Sequence, residues 1–261
     1  MLCSPLLAGH AINFKFLPDL YDTAGGGPGI GSFSLMANCW GFAHGIAKNF
    51  PPQLDPWSKA FVGWATVTEL TTSGTYTLAP SYTTNQYYKI SKNFPNGEYL
   101  LLEYRRKLGY DSYLPAEGLV IYHIDSNTDQ GNEGYPGQAG WPSSGNHYMV
   151  ALLAADGKYD FEMKADNGSN GGDAGDVWVT SVDGIGPYSS ANKYPSTDAY
   201  QNGNILNTGN SITNIGPAGG ETISFTYSIV TAPTCTKLSA GARCSAANQC
   251  CSNICQSRRC Q

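Results

Sequence analysis

Cysteines are crowded at one end of this chain. Six of its eight cysteines fall within residues 235–261, with the spacing C-x8-C-x5-CC-x3-C-x4-C. A segment this short cannot be stabilised by a hydrophobic core, so covalent cross-links must hold it together. Such cross-links persist in oxidising compartments, which predicts an extracellular protein. The cysteines expected to form disulfides are Cys235, Cys244, Cys250, Cys251, Cys255 and Cys260.

The remaining sequence is poor in charge and rich in turn-forming residues. Charged residues make up 13% of the chain, against roughly 25% in an average soluble domain, and there are 31 glycines and 17 tyrosines. Strands and tight turns suit this composition better than helices, so we expect an α+β protein that is predominantly β. The net charge of −5, without a basic stripe, argues against a nucleic-acid partner. The longest apolar stretch, Gly118–Ile124, is far shorter than the roughly 20 residues of a membrane-spanning helix, so no membrane partner is expected.

Local patterns predict one short helix and several strands. Asp55 is a candidate N-cap and Pro56 suits the first helical position, which predicts a helix near Asp55–Val62. Val120–His123 lies in a near-continuous apolar run, which predicts a strand covered on both faces, whereas Ser224–Ser228 alternates as a half-exposed strand does. Runs of β-branched, aromatic and aliphatic residues predict strands at Tyr99–Tyr104, Gly118–Ile124, Tyr148–Leu153, Val177–Val179 and Thr222–Ile229.

A series of short segments occurs in a fixed order between residues 17 and 230. They are Leu17–Asp22, Gly29–Met36, Pro56–Lys59, Gly63–Trp64, Gly97–Glu103, Gly109–Asp111, Gly118–Asp125, Ala154–Asp160 and Gly172–Asp176. Together they closely resemble the immune inhibitor A-like family of secreted zinc metallopeptidases, which is of the metzincin type. The resemblance implies the C-terminal part of a metallopeptidase catalytic domain at 1–64 and a β-rich remainder at 65–230. It also implies hydrolysis of protein or peptide substrates.

In that family the metal-binding motif is H-E-x-x-H-x-x-G-x-x-D. Two histidines one helical turn apart bind zinc, and the glutamate is the general base for the zinc-bound water. By resemblance, Asp19 matches the third zinc ligand and Met36 matches the Met-turn, which supports the metal site without ligating it. An ordinary core methionine is the other interpretation of Met36.

The histidines and the glutamate of the motif are missing. Counting back from Asp19, the histidine positions fall on Gly9 and Asn13, the glutamate position falls on His10, and the glycine position falls on Phe16. If His10 is aligned with the second histidine instead, it becomes a candidate ligand, but Leu6 and Leu7 then occupy the first histidine and glutamate positions, and Asp19 follows after nine positions where the motif has six. Neither register supplies the three protein ligands that zinc needs. The chain is therefore expected to lack catalytic zinc and to be inactive as written.

Two explanations for the missing ligands remain open. Either the chain has a partial start, so that Met1–Phe16 replaces a segment that carried the motif, or it is an inactive relative. The first is favoured because the downstream pattern is well kept. Met1–Gly9 also has no basic start and is too short for an export signal, which fits a chain that lacks its own N-terminus.

Two acidic loops are candidates for calcium. Asp125, Asn127 and Asp129 alternate as at the start of a calcium-binding loop, although glycine is absent from the sixth position and glutamate from the twelfth. Asp173 and Asp176 lie in a second oxygen-rich turn. The competing interpretation of both is a plain solvated turn.

The six-cysteine segment, 235–261, follows a linker at 231–234 and resembles the inhibitor cystine-knot modules of secreted proteins. That resemblance implies the pairs Cys235–Cys251, Cys244–Cys255 and Cys250–Cys260. On the sequence alone, six cysteines allow 15 pairings. The module could bind a surface or glycan ligand, or could simply be a stable tail.

The sequence therefore leaves two alternative functions open. The first is a secreted zinc metalloendopeptidase of the immune inhibitor A-like type. The alternative is a non-enzymatic secreted binding protein directed at a glycan or cell wall, with Trp141, Trp178 and the tyrosines as stacking surfaces.

Overall fold

The computed structural model divides the chain into two compact units, Met1–Ser228 and Ile229–Gln261. In the second unit the structure describes Ile229 and the backbone of four further residues, and the other described side chains belong to the first unit. The described residues are 17–24, 26–42, 50–131, 134–135, 138, 141, 147–163, 170–188, 195–200, 203, 205–229, 255–256 and 259–260. Among them, no helix has the length and apolar character needed to cross a membrane.

The first unit is built on a five-stranded sheet with the order β1-β3-β4-β5-β6. Strand β1 pairs with β3 in parallel, and the remaining pairs are antiparallel, so the sheet is mixed. The strands are β1 (Thr66–Glu69), β3 (Gln86–Ile90), β4 (Glu98–Arg105), β5 (Gly118–Asp125) and β6 (Val150–Leu152).

Strand β5 lies at the centre of the buried structure. All eight of its residues are buried, as its continuous apolar run predicts for a strand covered on both faces. It pairs along its whole length with β4, from Glu98 opposite Asp125 to Arg105 opposite Gly118. The predicted strands within β4, β5 and β6 are confirmed.

A second sheet has four strands in the order β2-β9-β8-β7. In β9, buried and partly exposed residues alternate over Ile223–Tyr227, which confirms the half-exposed strand predicted there. The predominantly β character expected from the composition is thus confirmed. The strands of this sheet are β2 (Gly74–Leu78), β7 (Gly184–Ile185), β8 (Asn210–Thr213) and β9 (Ile223–Ile229).

Helices are short in the described part of the chain. Helix α1 (Pro56–Phe61) begins as predicted, because the Asp55 side chain accepts a hydrogen bond of 2.8 Å from Ser58 N and Pro56 occupies the first turn. Helix α2 (Ser81–Thr84) is a single turn. Two 3₁₀ turns lie at Gly31–Phe33 and Gly109–Tyr113.

The prediction of a strand at Val177–Val179 is wrong. Trp178 instead makes an isolated antiparallel bridge to Leu119, with backbone hydrogen bonds of 2.8 and 2.9 Å. Strand β4 pairs with Leu119 on one side of β5, so the Trp178 bridge lies on the other side. On that side, β6 pairs with Tyr122–Ile124 of β5. Trp178 thus pairs with β5 through a single residue, beyond the end of β6. Its indole donates a hydrogen bond of 2.8 Å to Leu153 O.

One hydrophobic cluster joins the segment before α1 to the five-stranded sheet. It contains buried residues from before position 64 and from β5 and β6, and its members include Leu20, Ile30, Phe33, Met36, Val120, Tyr122, Ile124, Val150, Phe161 and Val177. The glycine-rich N-terminal segment is therefore packed on the sheet.

The second unit contains a two-stranded antiparallel pair, β10 (Cys255–Gln256) and β11 (Arg259–Cys260), with the backbone of Cys255 opposite that of Cys260. The predicted disulfides of this segment, the linker at 231–234 and the predicted ligand His10 lie outside the residues whose side chains the structure describes.

Candidate functional site

Met36, the predicted Met-turn residue, lies directly beside the chain segment that carries Asp19. Leu20 N donates a hydrogen bond of 3.0 Å to Met36 O, and Leu20 O accepts one of 3.1 Å from Ile30 N. The Met36 side chain is only 2% exposed and belongs to the hydrophobic core. These backbone contacts hold the partly exposed Asp19 next to a buried methionine.

The described residues around Asp19 do not make a zinc site. Its carboxylate accepts a hydrogen bond of 2.9 Å from the Tyr21 hydroxyl, and that bond raises the pKa of Tyr21. Across the described part of the chain, one group of three or more histidine, cysteine, aspartate or glutamate side chains converges, and Asp19 is not a member. Since zinc needs at least three protein ligands, the residues described here do not fit a catalytic zinc.

The group that does converge is Asp156, Asp173 and Asp176. One carboxylate oxygen from each lies within 4.8 Å of the others. Asp156 follows β6, whereas the other two lie in the turn that leads to Trp178, and Ala155 N joins the two segments by donating to Asp176 O at 3.1 Å. The sequence pattern predicted the pair Asp173 and Asp176, and the structure brings Asp156 to it.

The turn is shaped so that its carboxylates face one another. Asp173 Oδ1 accepts a hydrogen bond of 2.6 Å from Gly175 N, and Asp173 N donates to Asp176 Oδ2. A Cβ atom at Gly175 would lie 2.6 Å from Asp156 Oδ2, so a side chain there would push the third carboxylate away. Glycine at this position leaves space for the Asp156 carboxylate beside the turn.

Asp176 is the buried member of this acidic cluster. Its side chain is fully buried, and its Oδ1 is enclosed without a hydrogen-bond partner. Burial raises its pKa to about 7 despite the hydrogen bond from Asp173 N, and the negative charges of Asp173, Asp156 and Asp160 add to the rise. Like charges held this close are electrostatically unfavourable unless protons or a cation neutralise them.

Among the described residues, Lys158 forms ion-pair contacts with the cluster. Its Nζ lies 2.7 Å from Asp156 Oδ2 and 4.0 Å from Asp173 Oδ2, and the two carboxylates raise its pKa, the Asp156 hydrogen bond most of all. The Lys158 side chain is 61% exposed, so solvent screens both contacts. One mobile ammonium does not balance three carboxylates.

The other predicted calcium loop is organised by internal hydrogen bonds. Asp125 Oδ1 accepts from Asn127 N at 2.9 Å and from Asn127 Nδ2 at 3.1 Å, and Asp129 Oδ1 accepts from Gly131 N at 2.8 Å. Burial opposes ionisation of Asp125, but hydrogen bonds from His147 and Asn127 outweigh it and hold the pKa below its ordinary value. Calcium at this loop stays a prediction.

Two buried histidines each contact a carboxylate on a neighbouring element. His123 Nε2 lies 2.8 Å from Glu98 Oε1, and His147 Nε2 lies 2.8 Å from Asp125 Oδ2. His123 is therefore a core histidine that is satisfied by a carboxylate. Sequence reasoning missed the His147 pair, for which the only signal was that both residues flank predicted strands.

Comparison of this chain with protein-family models, with curated proteins and with solved structures found no match.

Proposed function

We propose that this chain is a member of the secreted zinc metallopeptidases of the immune inhibitor A-like type. It carries the part of the catalytic domain that follows the metal-binding helix, the β-rich remainder and an extracellular cystine-knot module. As written, it neither holds catalytic zinc nor hydrolyses peptide bonds. Zinc-dependent peptide hydrolysis in this family needs two histidines and a glutamate, and the corresponding positions of this chain hold other residues.

The observation that carries this proposal is the contact between Leu20 and Met36. A Met-turn is useful to a metzincin because it packs beneath the metal and close to the third ligand. Here 16 positions separate Leu20 from Met36, yet Leu20 N donates to Met36 O at 3.0 Å, next to Asp19. This contact brings the backbone of Met36 beside the residue that follows Asp19, and that proximity supports the proposal.

The purified full chain is expected to be inactive as a protease. After incubation with zinc and removal of the excess, mass spectrometry should find well under one zinc per chain. Casein should stay intact, with or without 1,10-phenanthroline. Stoichiometric zinc together with chelator-sensitive casein cleavage would contradict the inactive assignment.

Restoring the motif tests the family register itself. The quadruple variant G9H/H10E/N13H/F16G introduces the motif H-E-x-x-H-x-x-G at the positions counted back from Asp19. It is expected to bind about one zinc per chain, because two histidines then join Asp19 as ligands. The matched control adds Asp19→Ala, which should reduce zinc retention at least about tenfold while leaving the circular dichroism spectrum unchanged. A variant that folds but binds no zinc, or binds it equally with Asp19→Ala, would refute the register.

The binding-protein alternative is supported by an exposed aromatic surface. Phe50 packs against Tyr113 with ring centroids 5.0 Å apart, and Tyr110 and Tyr113 are 55% and 41% exposed. Trp178, a candidate stacking residue, is instead buried in the core. Retention of the chain on a polysaccharide column, lost in Tyr110→Ala/Tyr113→Ala, together with an absence of zinc binding by the quadruple variant, would favour this alternative.

A further inference from the structure

We propose that Asp156, Asp173 and Asp176 bind a calcium ion that fixes the 170–178 turn to the end of β6. This proposal uses neither Asp19 nor Met36 as a ligand and does not depend on the protease assignment.

The geometry of the cluster favours a positive charge between the two segments. Three carboxylate oxygens lie within 4.8 Å of one another, so a cation among them is at most about 2.8 Å from each, close to the ligand distances of about 2.3–2.6 Å for calcium. The fold holds these carboxylates close together. Ala155 N donates a hydrogen bond of 3.1 Å to Asp176 O, and Trp178, two residues further along, pairs with Leu119 of β5.

Asp176 supplies a separate indication of a ligand. It is 0% exposed, and its Oδ1 is enclosed without a hydrogen-bond partner. A buried polar atom is normally satisfied by protein, water or an ion, and leaving a carboxylate oxygen unsatisfied is costly. Asp176 is itself one of the converging carboxylates, and a cation bound to its Oδ1 would satisfy that oxygen.

The chemistry of the ligands selects calcium. All three donors are carboxylate oxygens, whereas zinc in proteins favours histidine and cysteine. The Asp156 side chain is 19% exposed and so is open to bound water, which suits the flexible six- to eight-fold coordination of calcium. Lys158 Nζ, 2.7 Å from Asp156, is then an exposed competitor that the ion displaces.

The test is calcium binding by the full chain after treatment with a chelator. Because three carboxylates are few ligands, we expect a Kd of about 0.1–1 mM, as in extracellular calcium modules. Adding 10 mM calcium chloride, with sodium chloride of equal ionic strength as the reference, should raise the Tm by roughly 5–10 °C. Magnesium chloride should give a much smaller rise, since magnesium dehydrates reluctantly.

Variants assign the effect to this cluster. Asp176→Asn and the partly exposed Asp156→Asn should each weaken calcium binding at least about tenfold, whereas Lys158→Gln should strengthen it. The exposed Asp183→Asn is the matched control and should leave binding unchanged. The proposal fails if calcium gives no rise beyond the salt reference, if Asp156→Asn binds calcium normally, or if Asp129→Asn abolishes the effect while the cluster variants keep it.

Discussion

Replacing Arg105 with methionine is expected to lower the free energy of unfolding by about 3–5 kcal/mol. The Arg105 side chain is completely buried at the end of β4. Methionine keeps much of its volume but removes the charge. The cost therefore measures the loss of electrostatic compensation more than the loss of packing.

Two carboxylates would be left without their counter-charge. Arg105 Nη1 lies 3.2 Å from Asp111 Oδ2, and Arg105 Nε lies 3.5 Å from Glu103 Oε1. Burial raises the pKa of Glu103, and the guanidinium of Arg105 opposes that rise. Without Arg105, the folded protein must hold a buried unpaired charge or take up a proton, and both are unfavourable near neutral pH.

Arg105 also joins the N-terminal segment to the sheet. Its Nη2 donates to Phe33 O, in the 3₁₀ turn that precedes Met36. Loss of this bond leaves a buried carbonyl unsatisfied at the point where the 17–42 segment packs on β4. Destabilisation should therefore reach the region that carries Asp19.

Urea unfolding followed by tryptophan fluorescence provides the measurement. The control is Arg106→Met, one residue further along, whose partly exposed contact with Glu117 at 3.4 Å should be worth at most about 1 kcal/mol. Similar losses for the two variants would mean that the buried ion pairs contribute little beyond a surface contact.

The sequence predicts those parts of the fold in which local pattern and tertiary environment agree. The apolar run of β5 predicts a strand covered on both faces, and Asp55 followed by Pro56 predicts the start of α1. Strand β1 was not predicted, because Thr66–Glu69 is polar and mostly exposed. It is defined by parallel pairing with β3, which no local pattern encodes.

The candidate site could be predicted only in part, for a similar reason. Asp173 and Asp176 are three positions apart in a glycine-containing turn, so their proximity follows from the sequence. Asp156 joins them because the chain returns to the edge of β5 at Trp178, a contact between residues far apart in sequence. Equally, nothing in the sequence indicates that Asp176 Oδ1 is buried without a partner, since burial is a property of the folded core.

Replacing Glu162 with glutamine is expected to remove a large part of the pH dependence of stability. The Oε2 of Glu162 is enclosed without a hydrogen-bond partner, in a small cavity that His147 and Tyr200 also line. Burial raises the pKa of Glu162 to about 8, and the negative charges of Asp176 and Asp160 add to the rise. The folded protein thus keeps this proton up to about pH 8, whereas an unfolded chain releases it near pH 4.3.

The direction of the pH effect follows from this difference. Between about pH 4.3 and pH 8 the folded state binds one proton more than the unfolded state, so the free energy of unfolding falls as pH rises. Above pH 8 the carboxylate is charged in both states, and the full penalty, on the order of 5 kcal/mol, is present. Glutamine has the same shape and no charge, so Glu162→Gln should be close to wild type at pH 5 and more stable by about that amount at pH 9.

Urea unfolding at pH 5, 7 and 9 in the presence of a chelator tests this without interference from calcium. Glu221→Gln changes an exposed carboxylate and should follow the wild-type profile. The interpretation is wrong if Glu162→Gln shows the same fall in stability between pH 5 and pH 9 as the wild type. A gain confined to high pH would identify Glu162 as a buried acid that stays protonated at neutral pH, beside the carboxylates proposed to hold calcium.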